Sequence, residues 1–417
     1  MQQHSRAGRL GRALAAALGL ALATACAGTP SVGPTPTPYA ERDEVRQFAL
    51  DLAQRNGWQP DWVIAQLAQA RFVPSVARLI MPPPAGTAKN WAAYRARFVE
   101  PKRIAAGVQF WNDNAQLLAE AEARHGVPPA IVAGIVGVET YYGRITGNFR
   151  VLDALATLSF DFPSGRSDRT PFFRSELEHF LRMCKHEGRD CASFKGSYAG
   201  AMGLPQFMPS SINRYAVDFD RDGRIDLLDS PADVIGSVTH YLAEKGWVRG
   251  MPTHYEVTPP QDIRERALML VPDITPTFTA AQFAERGAVL SEAGRRHEGL
   301  LALVEYENGD AAPRSYIAGT HNFYVITRYN WSAYYALAVI ELGQAVQQAW
   351  QAQAAPAPQP EPPAPAAASA PAAASAPAPA ASTPAPASAP PSIAASAPAA
   401  AAAPAASMPE APASAAP

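Results

Sequence analysis

Apolar positions recur at helical spacing along most of the chain. Phe48, Leu50, Leu52 and Ala53, then Trp62 to Leu67, have the intervals of a small amphipathic bundle that opens near Glu41. Arg103 to His125 reads as one helix closed by Gly126, Glu176 to Cys184 as a second, and Ser332 to Trp350 as a long final helix with Ala, Leu and Val along one side. The period breaks between about 252 and 330, where Pro and Thr clusters separate short runs such as Phe323 to Thr327; a minor β contribution is predicted there. The body is therefore expected to be mainly α, of α+β class.

One segment has almost no polar face. Pro128 and Pro129 suit a helix start, and Ile131, Val132, Ile135, Val136 and Val138 make residues 129–140 read as a buried helix with Glu139 near its end. Desolvation raises a carboxyl pKa, and a glutamate held near neutrality can donate a proton as a general acid. A structural glutamate paired with Arg144, or exposed at the helix end, fits the position equally well.

Composition separates the two ends from the body. Residues 1–26 carry Arg6, Arg9 and Arg12, an apolar stretch from Ala13 to Ala25 too short to span a bilayer, and then Cys26. This reads as an export signal in which Ala23 to Cys26 forms a lipoprotein box; acylated Cys26 would anchor the protein to the outer membrane from the periplasm. Ordinary cleavage near Ala25 would release a soluble periplasmic protein instead. Residues 27–38 read as a flexible tether. From 351 to 417 the chain is rich in Ala, Pro and Ser with almost no large apolar side chain, a composition that predicts disorder; a spacer or wall-penetrating arm is one reading and a dispensable tail the alternative.

A formal net charge of −2 offers no footprint for nucleic acid. With Cys26 set aside, Cys184 and Cys191 remain, and in an oxidising compartment a local disulfide is the simple expectation, with an inert buried thiol as the alternative. The cysteines have no metal-binding spacing.

Asp218 to Asp229 matches an EF-hand loop. Asp218, Asp220 and Asp222 offer oxygens, Gly223 permits the sharp turn, and the Arg224 carbonyl stands where a backbone ligand is required. Asp229 occupies the last position, where a longer Glu is usual. Ser230, Pro231 and Asp233 supply the start of an exiting helix. A structural Ca2+ is expected; a solvated acidic turn without metal is the alternative.

Downstream of Glu139, the small-residue stretch Gly196 to Gly203 continues into Leu204-Pro-Gln206-Phe207-Met208-Pro209-Ser-Ser211. Ser197 and Gln206 can hydrogen-bond sugar hydroxyls or an N-acetyl group, with Phe207 and Met208 as an apolar floor. Gly-Val-Glu-Thr at 137–140, Asp153 to Leu158, this stretch, the acidic loop and Thr327 to Asn330 together resemble the membrane-bound lytic murein transglycosylase B family, glycoside hydrolase family 103. The resemblance covers roughly 40 to 350.

It implies a lysozyme-like core at about 101–250 within a catalytic region from 39 to 350, an α-helical accessory region, a small β-containing part and a monomer acting on peptidoglycan without organic cofactor. It implies that Glu139 is sole acid and base, and that Ser197, Gln206, Phe207, Met208, Tyr241, Tyr329 and Asn330 contact substrate. The product would be a 1,6-anhydromuramyl end. A second acid, Asp153 or Asp161, would fit a hydrolytic muramidase; a catalytically inactive glycan-binding scaffold is the non-enzymatic alternative. The family's paired arginines after Pro163 are spread here to Arg166 and Arg169.

Overall fold

The apolar segment is a helix from Pro129 to Thr140, and the final helix, Ala333–Ala354, packs along it. Glycine sets their separation. A Cβ on Gly134 would lie 2.1 Å from the Val339 carbonyl oxygen, and one on Gly343 2.0 Å from that of Ala130. The backbones therefore approach more closely than any side chain would allow. In this computed structural model residues 37–82, 89–309 and 312–354 are described; Cys26, nearly all of the tether and the tail beyond 354 lie outside them.

Two large apolar cores divide the helices, and neither follows a continuous stretch of chain. The first joins Pro101–Asp113, Ala115–His125, Pro129–Thr140, Pro231–Glu244 and the final helix. The second joins Asp43–Asn56 and Pro60–Ala68 to Val151–Phe160 and Thr170–Glu187. Tyr39 and Arg42 fasten the N-terminal bundle to this second core through Asp161, whose Oδ2 accepts from Tyr39 Oη at 2.6 Å and from Arg42 Nη1 at 2.8 Å.

Among the described residues six strands form two sheets. β1 (Phe149–Arg150) and β2 (Lys195–Gly196) make a short antiparallel pair that the apolar pattern did not signal. β3 (His254–Thr258), β4 (Val289–Leu290), β5 (Ala302–Tyr306) and β6 (Ser315–Gly319) form an antiparallel sheet in the order β4-β3-β6-β5 over a third, small core, within the region predicted to hold β structure. The run Phe323 to Thr327 is not a strand. It belongs to a helix, His321–Thr327, because Thr320 Oγ1 caps the Asn322 amide at 3.1 Å and overrides the β-prone composition. The predicted helix from 103 to 125 is broken at Asn114, whose Nδ2 donates to the Phe110 carbonyl at 2.8 Å and lets the chain turn.

Candidate active site

Glu139 lies in the last turn of its helix, and its Oε1 accepts a hydrogen bond from Tyr335 Oη at 2.7 Å. The residue keeps partial solvent access, as a group that must reach substrate requires. Its surroundings are otherwise dense, and burial pushes its pKa up to about 7, with the Tyr335 hydrogen bond pulling the other way. The negative end of the helix dipole acts in the same direction as burial. No cation pairs with it among the described residues: Arg144 lies over the Tyr141 ring at 4.8 Å, while Arg103 stacks on the same ring at 4.5 Å and donates Nη1 to the Gly137 carbonyl at 2.6 Å. The salt-bridged alternative for Glu139 is therefore absent.

Beyond Thr140 the chain turns sharply. Tyr141 and Tyr142 take φ of 53° and 56°, and Gly143 follows at 86°. Such conformations persist in non-glycine residues only where the surroundings hold them. Tyr142 folds back into the core, with its ring 5.4 Å from Phe110 and its hydroxyl where a Cβ on Gly107 or Gly137 would stand. Its hydroxyl is thereby buried, while the ring stays partly exposed.

The small-residue stretch is two nested turns. Ser197 Oγ accepts from the Ala201 amide at 3.0 Å, and Met202 pairs with Phe207 through both backbone bonds. Gln206, at φ 50°, spends both donors on its own scaffold: Nε2 reaches the Thr146 carbonyl at 3.1 Å and that of Gly203 at 2.9 Å. Its Oε1 is what remains for a ligand. Phe207 and Met208 do not form one floor, because consecutive residues point into different cores. Phe207, 3% exposed, joins the Glu139 core, whereas Met208 packs on the other.

Phe207, Tyr241 and Tyr329 form a triangle of rings with centroids 5.1 to 5.6 Å apart. Tyr241 donates to the Arg328 carbonyl and Tyr329 to that of Pro205, so both hydroxyls serve the scaffold. Tyr329 also stacks on Tyr335 at 6.3 Å, which carries the aromatic wall to Glu139. Asn330 follows directly, and its buried Oδ1 has no hydrogen-bond partner among the described residues. Ser197 stands in the outer turn of this loop, where its Oγ serves the Ala201 amide.

Sequence reasoning missed Tyr335, which looks like one more apolar position in an Ala-rich stripe. It also missed Tyr94, where burial and then the Glu139 charge push the phenol up to about 12. The two alternative acids are otherwise engaged. Asp161 holds Tyr39 and Arg42, while Asp153 accepts from the Arg71 amide at 3.0 Å and lies 3.3 Å from Arg150.

In the acidic loop, carboxylate oxygens of Asp218, Asp220 and Asp222 lie within 4.8 Å of one another, and Gly223 turns at φ 90°. An oxygen-only donor set of this kind suits a hard cation. Asp229 does not join the trio: the Asp226 carboxylate caps its amide at 2.9 Å, and an Asp side chain is one methylene shorter than the usual Glu. The Arg224 side chain faces Asp226 at 3.5 Å. The expected disulfide is likewise not formed. Cys184 and Cys191 are both buried free thiols, hydrogen-bonded to each other, which pushes the Cys184 pKa up.

This arrangement of helices is shared with known proteins. The transglycosylase SLT domain model matches residues 40–344, and the chain belongs to that family. Membrane-bound lytic murein transglycosylase B of Escherichia coli K12 is 39% identical over 319 residues, covering 75% of this chain and 84% of the relative. The structure of E. coli lytic transglycosylase Slt35 in complex with calcium superposes with a TM-score of 0.65 at 38% identity, over 76% of this chain and 95% of that one. SltB3 of Pseudomonas aeruginosa, solved with NAG-anhNAM-pentapeptide, gives 0.61 at 28% identity, over 73% and 79%.

Proposed function

We propose that this protein is a lytic transglycosylase of murein in which Glu139 alone acts as acid and then base. The observation that carries this reading is a single carboxyl whose pKa burial pushes up to about 7, held by a tyrosine and paired with no cation among the described residues, while Asp153 and Asp161 are committed elsewhere. Protonated Glu139 gives its proton to the glycosidic oxygen between N-acetylmuramic acid and N-acetylglucosamine. The resulting carboxylate takes the proton of the muramyl 6-hydroxyl as that oxygen attacks the anomeric carbon. A 1,6-anhydromuramyl end forms and no water is consumed. The Tyr335 hydrogen bond stabilises the carboxylate between the two steps.

Gln206 Oε1 is the acceptor offered to the glycan, Asn330 stands beside the aromatic wall with its Oδ1 unpartnered among the described residues, and Ser197 lies on the loop that would line the glycan. Phe207, Tyr241 and Tyr329 act from behind as the wall that keeps Glu139 desolvated. Asp218, Asp220 and Asp222 are assigned to a structural Ca2+, an assignment supported by the calcium complex of the Slt35 relative. The periplasmic face of the outer membrane is the proposed location, through a lipidated Cys26; no helix among the described residues is long and apolar enough to cross a membrane.

The product decides the reaction. Purified sacculi digested with the protein should yield muropeptides about 18 mass units below their hydrated counterparts; reducing muramic ends would make the protein a hydrolytic muramidase.

A further inference from the structure

Thr140, the neighbour of Glu139, is fully buried, and besides a long contact to the Val136 carbonyl at 3.4 Å its hydroxyl makes two shorter bonds. Oγ1 donates to the Leu204 carbonyl at 2.9 Å and accepts from the Gly143 amide at 3.1 Å. The Leu204 amide in turn donates to the Leu227 carbonyl, inside the acidic loop, at 2.8 Å. Leu204 thus joins the 218–229 loop to the residue beside the acid.

Packing follows the same path. A Cβ on Gly203 would lie 2.5 Å from the Leu227 oxygen, and one on Gly143 3.3 Å from Leu204 Cγ. Close-packed segments of this kind transmit a displacement instead of absorbing it. Thr140 also closes the turn in which Tyr141, Tyr142 and Gly143 all have positive φ, a backbone that needs outside support.

We propose that Thr140 is a positioning residue through which the acidic loop sets the geometry of Glu139. The proposal rests on the reading of Glu139 as acid and base and of Asp218, Asp220 and Asp222 as a cation site. Thr140 does not touch substrate. It needs a group that donates and accepts at once, a requirement that serine meets and valine does not.

The test compares full-length wild type, Thr140→Val and Thr140→Ser on sacculi, each in calcium and after chelation. Thr140→Val should lower kcat about tenfold with KM changed less than about twofold, because the acid is misplaced while the groove stays intact. Thr140→Ser should recover to within about threefold. Calcium should raise the Tm of wild type and of Thr140→Val alike. Chelation should move the pH profile of wild type and leave that of Thr140→Val in place.

A Thr140→Val enzyme with wild-type kcat and pH profile overturns the positioning role, and an equal response of its pH profile to chelation overturns the link to the loop. If Thr140→Val does not fold, Thr140→Cys, a weak donor, takes its place with the same expected and overturning results. Glu139→Gln, run alongside, separates the two levels: activity in that variant means that the acid itself was misassigned.

Discussion

Tyr335 donates its hydroxyl to Glu139 Oε1 at 2.7 Å across 196 residues of sequence. The phenol is buried, and burial with the nearby Glu139 charge pushes its own pKa well above the ordinary tyrosine value, so it donates at every working pH. A donor to the charged form of a carboxyl lowers that carboxyl's pKa. Tyr335→Phe keeps the ring and removes the donor. The Glu139 pKa should rise, the limb of the kcat profile that follows it should move to higher pH, and kcat at the optimum should fall about tenfold, the effect of one hydrogen bond to a charged group. An unmoved pH limb would separate Tyr335 from the acid.

Glu139 itself carries a stability signature. Its pKa is about 7 in the folded protein against an ordinary 4.5, so the folded state holds the proton more tightly than the unfolded chain. Stability from this group is therefore complete below pH 4.5 and is lost as pH rises toward 7. Above that window the loss is at most about 3 kcal/mol, less to the extent that solvent reaches the carboxyl. Glu139→Gln removes the titration. It should abolish turnover, retain binding to sacculi, and melt above wild type at pH 8 by more than at pH 4, as differential scanning calorimetry at the two pH values reports. A wild-type-to-variant difference independent of pH contradicts the raised pKa.

The same hydrogen bond depends on two glycines. Gly134 and Gly343 let the Pro129–Thr140 and Ala333–Ala354 helices approach until each would-be Cβ meets the other helix's carbonyl oxygen. Gly134→Ala forces the helices apart and costs about 2–3 kcal/mol, as overpacking of a dense core does. Because Tyr335 rides on the displaced helix, activity should fall further than stability predicts. Activity measured well below the Tm of the variant tests this, with a wild-type rate as the contrary result.

The helices and the acid were legible because their signals are local. Pro129 and the apolar run up to Val138 fix a buried helix whatever surrounds it, and Glu139 is the one carboxyl in it. The aromatic wall was legible only as motif residues, since Phe207, Tyr241 and Tyr329 meet through tertiary packing that no spacing encodes. Tyr335 left no trace, because a tyrosine in an Ala-rich helix looks like any apolar position until its partner is placed opposite. The break at Asn114 and the helix over 321–327 were misread for another reason: one side-chain cap in each outweighs the periodicity or β-propensity of the run.

The acidic loop has its shortfall at Asp229, which stands outside the oxygen cluster of Asp218, Asp220 and Asp222. Calcium bound only to the folded state raises the melting midpoint, so chelation should lower the Tm of wild type, and Asp220→Ala should be insensitive to chelator. Asp229→Glu adds the methylene that brings a carboxylate back toward the trio and permits bidentate contact. A tenfold tighter site is worth about 1.4 kcal/mol at saturating calcium, which corresponds to about 2 °C in a body of this size. The gap in Tm between calcium and chelator should therefore widen in Asp229→Glu and close in Asp220→Ala. Titration calorimetry gives the affinities directly, and a wild type that neither binds calcium nor responds to chelator removes the cation from this loop.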